Sequence, residues 1–184
     1  SSGPYKTNSQ LDPSLYQLAN KDLLGFWKTQ AQKLNWETPF KTILDWQRPY
    51  ANWFKEGYLN ASVNCCDRHL AYYSEKTAII WQGEDDTVIR LTYKQLTQQV
   101  QSLASYLEGI GIKKGDRVTL YMPMVTELVV AVLACARIGA IHSVVFGGFS
   151  SQALQDRLID SASNCLITAQ IAKRKGTQIP LAEW

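Results

Sequence analysis

From Thr77 onward, apolar positions recur with two alternating periods. Ala78–Trp81 predicts a short strand. Thr92-Tyr93-Lys94-Gln95 has the form of a capping box and opens a helix with Leu96, Val100, Leu103 and Leu107 along one face. Gly109 or Gly111 ends that helix, and a turn at Lys113–Asp116 leads to a strand over Arg117–Tyr121. Pro123 then opens a helix to about Ile138, Ile141–Phe146 is a buried strand, Ser150 caps a helix over about Ser151–Ser161, and Cys165–Thr168 is the last strand. Such alternation predicts right-handed crossovers and a mainly parallel sheet. Parallel strands are covered on both faces, which fits the near-continuous apolar run at Ile141–Phe146.

The chain before this point has a different character. Five of the six tryptophans lie at or before Trp81, and the pattern there is aromatic and irregular. Asp12-Pro13 reads as an N-cap with proline at the first helical position, and Asn20 caps a second helix with Leu23, Trp27 and Leu34 on one stripe. The expected organisation is an aromatic helical or irregular region over 1–76, then an α/β region over 77–184 containing part of a mainly parallel sheet with crossover helices.

Composition excludes more than it assigns. With 184 residues, 46% of them hydrophobic and 19% charged, the chain is too apolar to be disordered. A net charge of +3 falls short of the dense basic stripe of a nucleic-acid binder, so no nucleic-acid partner is expected. The apolar stretch Leu128–Phe146 is interrupted by Arg137, Gly139 and His142 and reads as helix then strand, with no membrane span expected. Cys65, Cys66, Cys135 and Cys165 have neither zinc-ligand spacing nor a disulfide pattern, which points to a reducing, cytoplasmic compartment and no metal site. Ser1-Ser2-Gly3 lacks any signal pattern and reads as a cleaved-tag scar.

Two stretches are candidate sites because ligands of open parallel sheets sit beyond the carboxyl ends of the strands. Phe146, Gly147 and Gly148, continuing into Phe149-Ser150, join a strand to a helix start, where paired glycines allow close backbone approach and free N–H groups suit an anion; the alternative is that the glycines serve the turn alone. Lys173, Arg174, Lys175, Gly176 and Thr177 form a basic cluster after the last strand, suited to phosphate or else a solvated turn. Asp67-Arg68-His69 reads as an ion-paired helix face because consecutive helical residues point apart, His142 as a hydrogen-bonded core histidine, and the cysteines as unreactive.

Read together, Trp53-Phe54 with Leu59-Asn60, Asn64–Leu70, Gly115-Asp116-Arg117-Val118, Tyr121–Met124 and Leu133–Ser150 resemble the AMP-forming acetyl-CoA synthetases of the adenylate-forming superfamily, from about Leu15 nearly to the end. The resemblance implies the incomplete N-terminal domain of that fold. It also implies an enzyme that joins acetate to ATP as acetyl-AMP, with Mg²⁺ assisting, and passes the acetyl group to CoA. Propionyl-CoA and acetoacetyl-CoA synthetases share much of the central motif, and a non-catalytic CoA- or nucleotide-binding module is a further reading. In the family, the stretch matching Phe146-Gly147-Gly148 lies along CoA and an Arg-Gly-Gly-Arg run contacts its phosphates. Here that run is Arg174-Lys175-Gly176-Thr177, with Thr177 in place of the second arginine and Gln170-Ile171 in place of an acidic pair. The family's Gly/Ser/Thr-rich ATP loop, Thr-Glu motif, hinge acid and catalytic lysine match nothing in these residues. No catalytic residue is therefore assigned, the 184 residues are expected to be inactive alone, and the remainder of a longer polypeptide is the expected partner.

Overall fold

The computed structural model describes residues 13–174 and 176–182, which fall into two compact units divided between Leu59 and Asn60. In the first unit, helices α1 (Pro13–Lys21) and α2 (Leu23–Ala31) precede a hairpin of β1 (Thr42–Gln47) and β2 (Tyr50–Lys55). The second helix is capped by Asp22, whose carboxylate accepts from the Gly25 N–H at 2.9 Å, and not by Asn20, which lies inside α1. It ends at Ala31, so Leu34 is not on its stripe.

The aromatic residues explain how so irregular a segment holds together. Phe40 lies 5.1 Å from Trp36 and 5.2 Å from Phe54 between ring centroids, and the Trp36 indole N–H donates to the Ala31 carbonyl at 2.8 Å, tying the cluster to the end of α2. Gly57 closes over it: a methyl group there would stand 2.6 Å from Trp36 Cζ3 and 2.8 Å from Phe40 Cβ. The β1–β2 hairpin is absent from the sequence reading because its strands present bulky residues on both faces, Leu44 and Trp46 opposite Trp53 and Ala51 on one and Ile43 and Tyr50 on the other, so no clean alternation marks them.

The second unit opens with α3 (Ala61–Cys65), a 3₁₀ turn (Asp67–His69) and α4 (Leu70–Tyr73). There follow β3 (Thr77–Gln82), β4 (Val88–Thr92), α5 (Tyr93–Gly109), β5 (Arg117–Met122), α6 (Thr126–Ile138), β6 (Ile141–Phe146), α7 (Ser151–Asp160), β7 (Cys165–Thr168), β8 (Ile171–Arg174) and β9 (Thr177–Pro180). The parallel sheet has order β6-β5-β7, with Val118 opposite both His142 and Cys165. Val118, Leu120 and Met122 face a core built with Leu96, Val100 and Leu107 of α5 and Leu128, Ala131 and Ala134 of α6. Tyr121 faces the other way, toward Val145, Leu154, Ala172 and Leu181. The capping box is realised, with Gln95 N–H donating to Thr92 Oγ1 and Thr92 N–H to Gln95 Oε1. Gly139 ends α6 at φ 74, a left-handed conformation that suits glycine.

Three expectations are corrected. β3 pairs antiparallel with β4, unforeseen from the sequence, and not with the parallel sheet. Only the five residues Gly83–Thr87 separate the two strands, too few for the crossover that a parallel neighbour demands. α6 begins at Thr126, because Val125 is extended (φ −120, ψ 166) and Pro123 remains in the preceding loop. β6 is an edge strand of its sheet: Ile141, Val144 and Phe146 are 57%, 51% and 54% exposed, and only Val145 is fully enclosed. The strand covered on both faces is β5, with five of its six residues buried.

Candidate functional site

β5, β6 and β7 all point their carboxyl ends to one side, where Met122 stands opposite Phe146 and Tyr121 opposite Thr168. Beyond these ends opens a cavity of about 710 Å³. Its floor is Met122–Val125 and Val144–Gly148, one wall is the β3–β4 turn over Gly83–Asp85, and the facing wall is the β8–β9 hairpin with Ile171, Ala172, Lys173 and Ile179. Apolar groups dominate this lining, with Gln82, Glu84, Asp85 and Lys173 supplying polar side chains at the walls.

Buried hydrogen bonds hold the loops in place. The Tyr121 hydroxyl, inside the core, donates to the Phe149 carbonyl at 3.0 Å with the Gly147 carbonyl at 3.5 Å, so the glycine turn is anchored from below. Thr168 Oγ1 donates to the Tyr121 carbonyl at 2.8 Å, and the Trp81 indole N–H donates to the Met124 carbonyl at 2.7 Å. Ser150 caps α7 by accepting from the Ala153 N–H. A methyl group on Gly147 would lie 3.5 Å from the Met122 carbonyl oxygen, an ordinary contact, and its φ is not left-handed. The turn itself therefore does not demand glycine at 147.

Of the predicted site residues, Phe146, Gly147 and Gly148 line the cavity. Arg174 ends β8, Thr177 opens β9 opposite it, and Gly176 forms the turn between them at φ 74. Lys175 lies outside the described residues. Lys173 also lines the cavity and reaches Asp85, its Nζ 3.2 Å from Asp85 Oδ2, while the Gly176 N–H donates to Glu84 Oε2 at 3.3 Å. Hydrogen bonding from the Thr87 side chain, then from Lys173 and the Thr87 backbone, brings the Asp85 carboxyl down to about 2. The sequence reading missed this acidic turn. Its signal was present in the sequence as the acidic run Glu84-Asp85-Asp86 and the basic run that begins at Lys173, but charge complementarity between segments almost ninety residues apart is legible only once they are folded together.

The remaining candidates play structural parts. Asp67 binds Arg137 of α6 through two hydrogen bonds of 2.7 Å, instead of pairing along its own helical turn. The Arg137 guanidinium holds the Asp67 carboxyl below its usual range. The Arg68 guanidinium donates to Asn64, and His69 packs on Tyr93 at 4.6 Å, so the three neighbours diverge. His142 is half-buried on the edge strand instead of enclosed in the core. Burial pushes the Cys135 thiol up to about 11 and raises those of Cys66 and Cys165, which keeps all three protonated and unreactive. Among the described residues no three carboxylate, imidazole or thiol groups converge to hold a metal ion. No helix among them is long and apolar enough to cross a membrane.

The profile of AMP-binding enzymes matches residues 66–183 and that of the acetyl-coenzyme A synthetase N-terminus matches residues 13–65; the chain belongs to the AMP-binding enzyme family. Among its relatives, the acetyl-coenzyme A synthetase of Laribacter hongkongensis is 49% identical over 91% of this chain and that of Gemmatimonas aurantiaca 47% identical over 92%. The chain spans about a quarter of the length of these relatives, 26% in both cases. The solved acetoacetyl-CoA synthetase of Streptomyces lividans superposes with a TM-score of 0.81 at 27% identity, covering 97% of this chain and 27% of that one.

Proposed function

We propose that these residues are the N-terminal part of a cytoplasmic acetate–CoA ligase that makes acetyl-CoA from acetate, ATP and CoA through acetyl-AMP, and that the cavity is one wall of its CoA site. The observation that carries this is the cavity itself: an apolar floor that includes Phe146, Gly147 and Gly148, with Lys173 in its wall. An apolar trough with a cation in its wall matches the chemistry of CoA, whose slender pantetheine arm carries phosphates at one end. In this reading the phosphate contacts are assigned to Arg174, Lys175, Gly176 and Thr177, as the family resemblance implies, and the arm to Phe146–Gly148. Acetate as the acyl group rests on the 47–49% identity to proteins named acetyl-coenzyme A synthetase, against 27% to the acetoacetyl-CoA synthetase.

In the proposed division of labour, residues 77–184 form the first α/β portion of the large AMP-binding domain. The 184 residues position CoA and exclude water along one side of the thiol's path, while ATP and its Mg²⁺ are held elsewhere in the whole protein. The remaining polypeptide also covers the exposed apolar side chains of β6. Titration of the 184-residue chain with CoA, followed by the amide shifts of Gly147 and Gly148, tests the site. The expected result is saturable binding weakened at least fivefold by Gly148→Val, which adds bulk at a position lining the cavity. Failure of CoA to bind at millimolar concentration overturns the assignment of this cavity. Pyrophosphate release from acetate, ATP and CoA by the 184 residues alone overturns the division of labour.

A further inference from the structure

The two walls of the cavity carry opposite charge and touch. Glu84, Asp85 and Asp86 are consecutive on the β3–β4 turn, and Lys173 stands on β8 of the facing hairpin. The turn is shaped by its own hydrogen bonds before it meets the hairpin. The Gly83 N–H donates to the Thr87 carbonyl at 2.8 Å, the Thr87 N–H to Asp85 Oδ1 at 3.2 Å, and Gln82 Nε2 to Asp86 Oδ1 at 3.1 Å. That leaves Asp85 Oδ2 for the Lys173 ammonium and Glu84 Oε2 for the Gly176 N–H.

These two donors, a cation and a left-handed glycine's N–H at a hairpin turn, are what an anion would use on this edge. Here carboxylates occupy both. We propose that the acidic β3–β4 turn is an internal competitor for that anion position: it straps the β8–β9 hairpin when no anionic ligand is bound, and a phosphate-bearing ligand must displace it. The inference rests on the CoA reading for the identity of the physiological ligand, but not for the contact or its displacement.

Three features suit the strap to being released. The hydrogen bonds from Lys173 to Asp85 and from the Gly176 N–H to Glu84, at 3.2 and 3.3 Å, lie at the long end of the range. The Lys173 and Asp85 side chains are 64% and 53% exposed, so water screens their attraction. The carboxylates have no burial to hold them, and once detached they leave the hairpin as a standing pair of strands with four residues matched on each side. Exposed ion pairs of this kind shift an equilibrium about two- to fivefold, and a ligand that needs the open form binds more weakly by the same factor. Because a bound phosphate would also stand beside up to three carboxylates, the turn disfavours multiply charged anions as a class, which sets a threshold against small phosphates that cannot gain binding energy from the apolar floor.

The test uses the 184-residue chain and two probes, inorganic pyrophosphate and CoA, with binding followed by the amide shift of Gly176. Asp85→Asn keeps an oxygen for the Thr87 N–H and removes the charge; Glu84→Ala removes the acceptor of the Gly176 N–H; Glu75→Gln, an exposed carboxylate outside the cavity, makes the same one-unit change in net charge as a control. The expected result is pyrophosphate binding two- to fivefold tighter in Asp85→Asn and in Glu84→Ala than in Glu75→Gln, with a smaller gain for CoA. If pyrophosphate tightens in this way and CoA does not bind at all, the strap stands and the CoA reading falls. If CoA binds the unmodified chain while neither variant differs from the control, or both bind more weakly, the strap falls and the CoA reading stands. Absence of binding by either anion to any form overturns both.

Discussion

Arg137 and Asp67 offer a sharp test of how the second unit is held together. Two parallel hydrogen bonds of 2.7 Å join a residue of α6 to a 3₁₀ turn seventy positions earlier, and the Arg137 carbonyl accepts a further bond from Asn60 Nδ2 at 2.9 Å. Charge-assisted hydrogen bonds are worth about 1.5–3 kcal/mol each when enclosed and exposed ion pairs about 0.2–1 kcal/mol. The side chains are 22% and 28% exposed, between those limits, so a coupling of about 1.5–2 kcal/mol is expected across an Asp67→Ala, Arg137→Ala double-mutant cycle. Each single substitution should cost about 2–3 kcal/mol, more than the coupling, because it leaves one half-buried charge without its partner.

Urea unfolding followed by far-UV circular dichroism measures the cost, and labelling of the enclosed Cys135 thiol reports opening of the second unit specifically. The sign with pH is fixed. The Asp67 carboxyl is depressed in the folded state, so its contribution is complete above its unfolded value of about 3.9 and is lost as pH falls through the lower folded value. The difference between the parent and Asp67→Ala must therefore shrink on acidification below about pH 4 and stay constant between pH 6 and 8. The raised pKa of Arg137 adds no dependence there, since the guanidinium remains charged at every accessible pH. A coupling below about 0.3 kcal/mol, within ordinary additivity, would refute the reasoning.

Gly57→Ala should destabilise the first unit by about 1–3 kcal/mol, seen as an earlier loss of tryptophan fluorescence in urea, because the added methyl meets the rigid rings of Trp36 and Phe40. Gly139→Ala should cost about 1–2 kcal/mol in urea denaturation through its φ of 74 alone, with a further contact at 2.9 Å to Lys114 Cγ that a flexible side chain relieves. The exposed Ile141, Val144 and Phe146 should make the isolated chain bind a hydrophobic dye and self-associate, and Val144→Lys should reduce both; a monomeric, dye-silent parent would contradict the reading of β6 as a strand awaiting cover.

Most of the helix–strand succession was legible because each piece announces itself locally. Thr92 and Gln95 cap α5, Gly139 stops α6, Ser150 caps α7, and the strands β5, β6 and β7 lie where the apolar runs stand. What remained hidden depends on pairing between segments. β4 is an exposed strand, Val88-Ile89-Arg90 outside and only Leu91 buried, so its five residues show no alternation until β3 is beside them. β8 and β9 are four residues each, too short to carry a period, and a basic run with one glycine reads as a turn without revealing the strands that flank it. The apolar character of Ile141–Phe146 was read as burial, yet it records a surface whose cover is not among the described residues. The glycine turn was found through its place after a strand, whereas the facing acidic turn had no such marker.

Tyr121 places the second core and the cavity under one constraint. Its ring packs with Val145, Leu154, Ala172 and Leu181, its hydroxyl fixes the carbonyl of Phe149, and Val145 and Ala172 are themselves part of the cavity lining. A change of one methylene behind the sheet, at Leu154 for instance, is therefore transmitted to the position of the glycine turn, since a close-packed interior passes displacement on instead of absorbing it. Sequence drift in this small core is answerable to two demands, volume and aim. Variants selected for altered ligand affinity should accumulate at buried positions that touch no ligand.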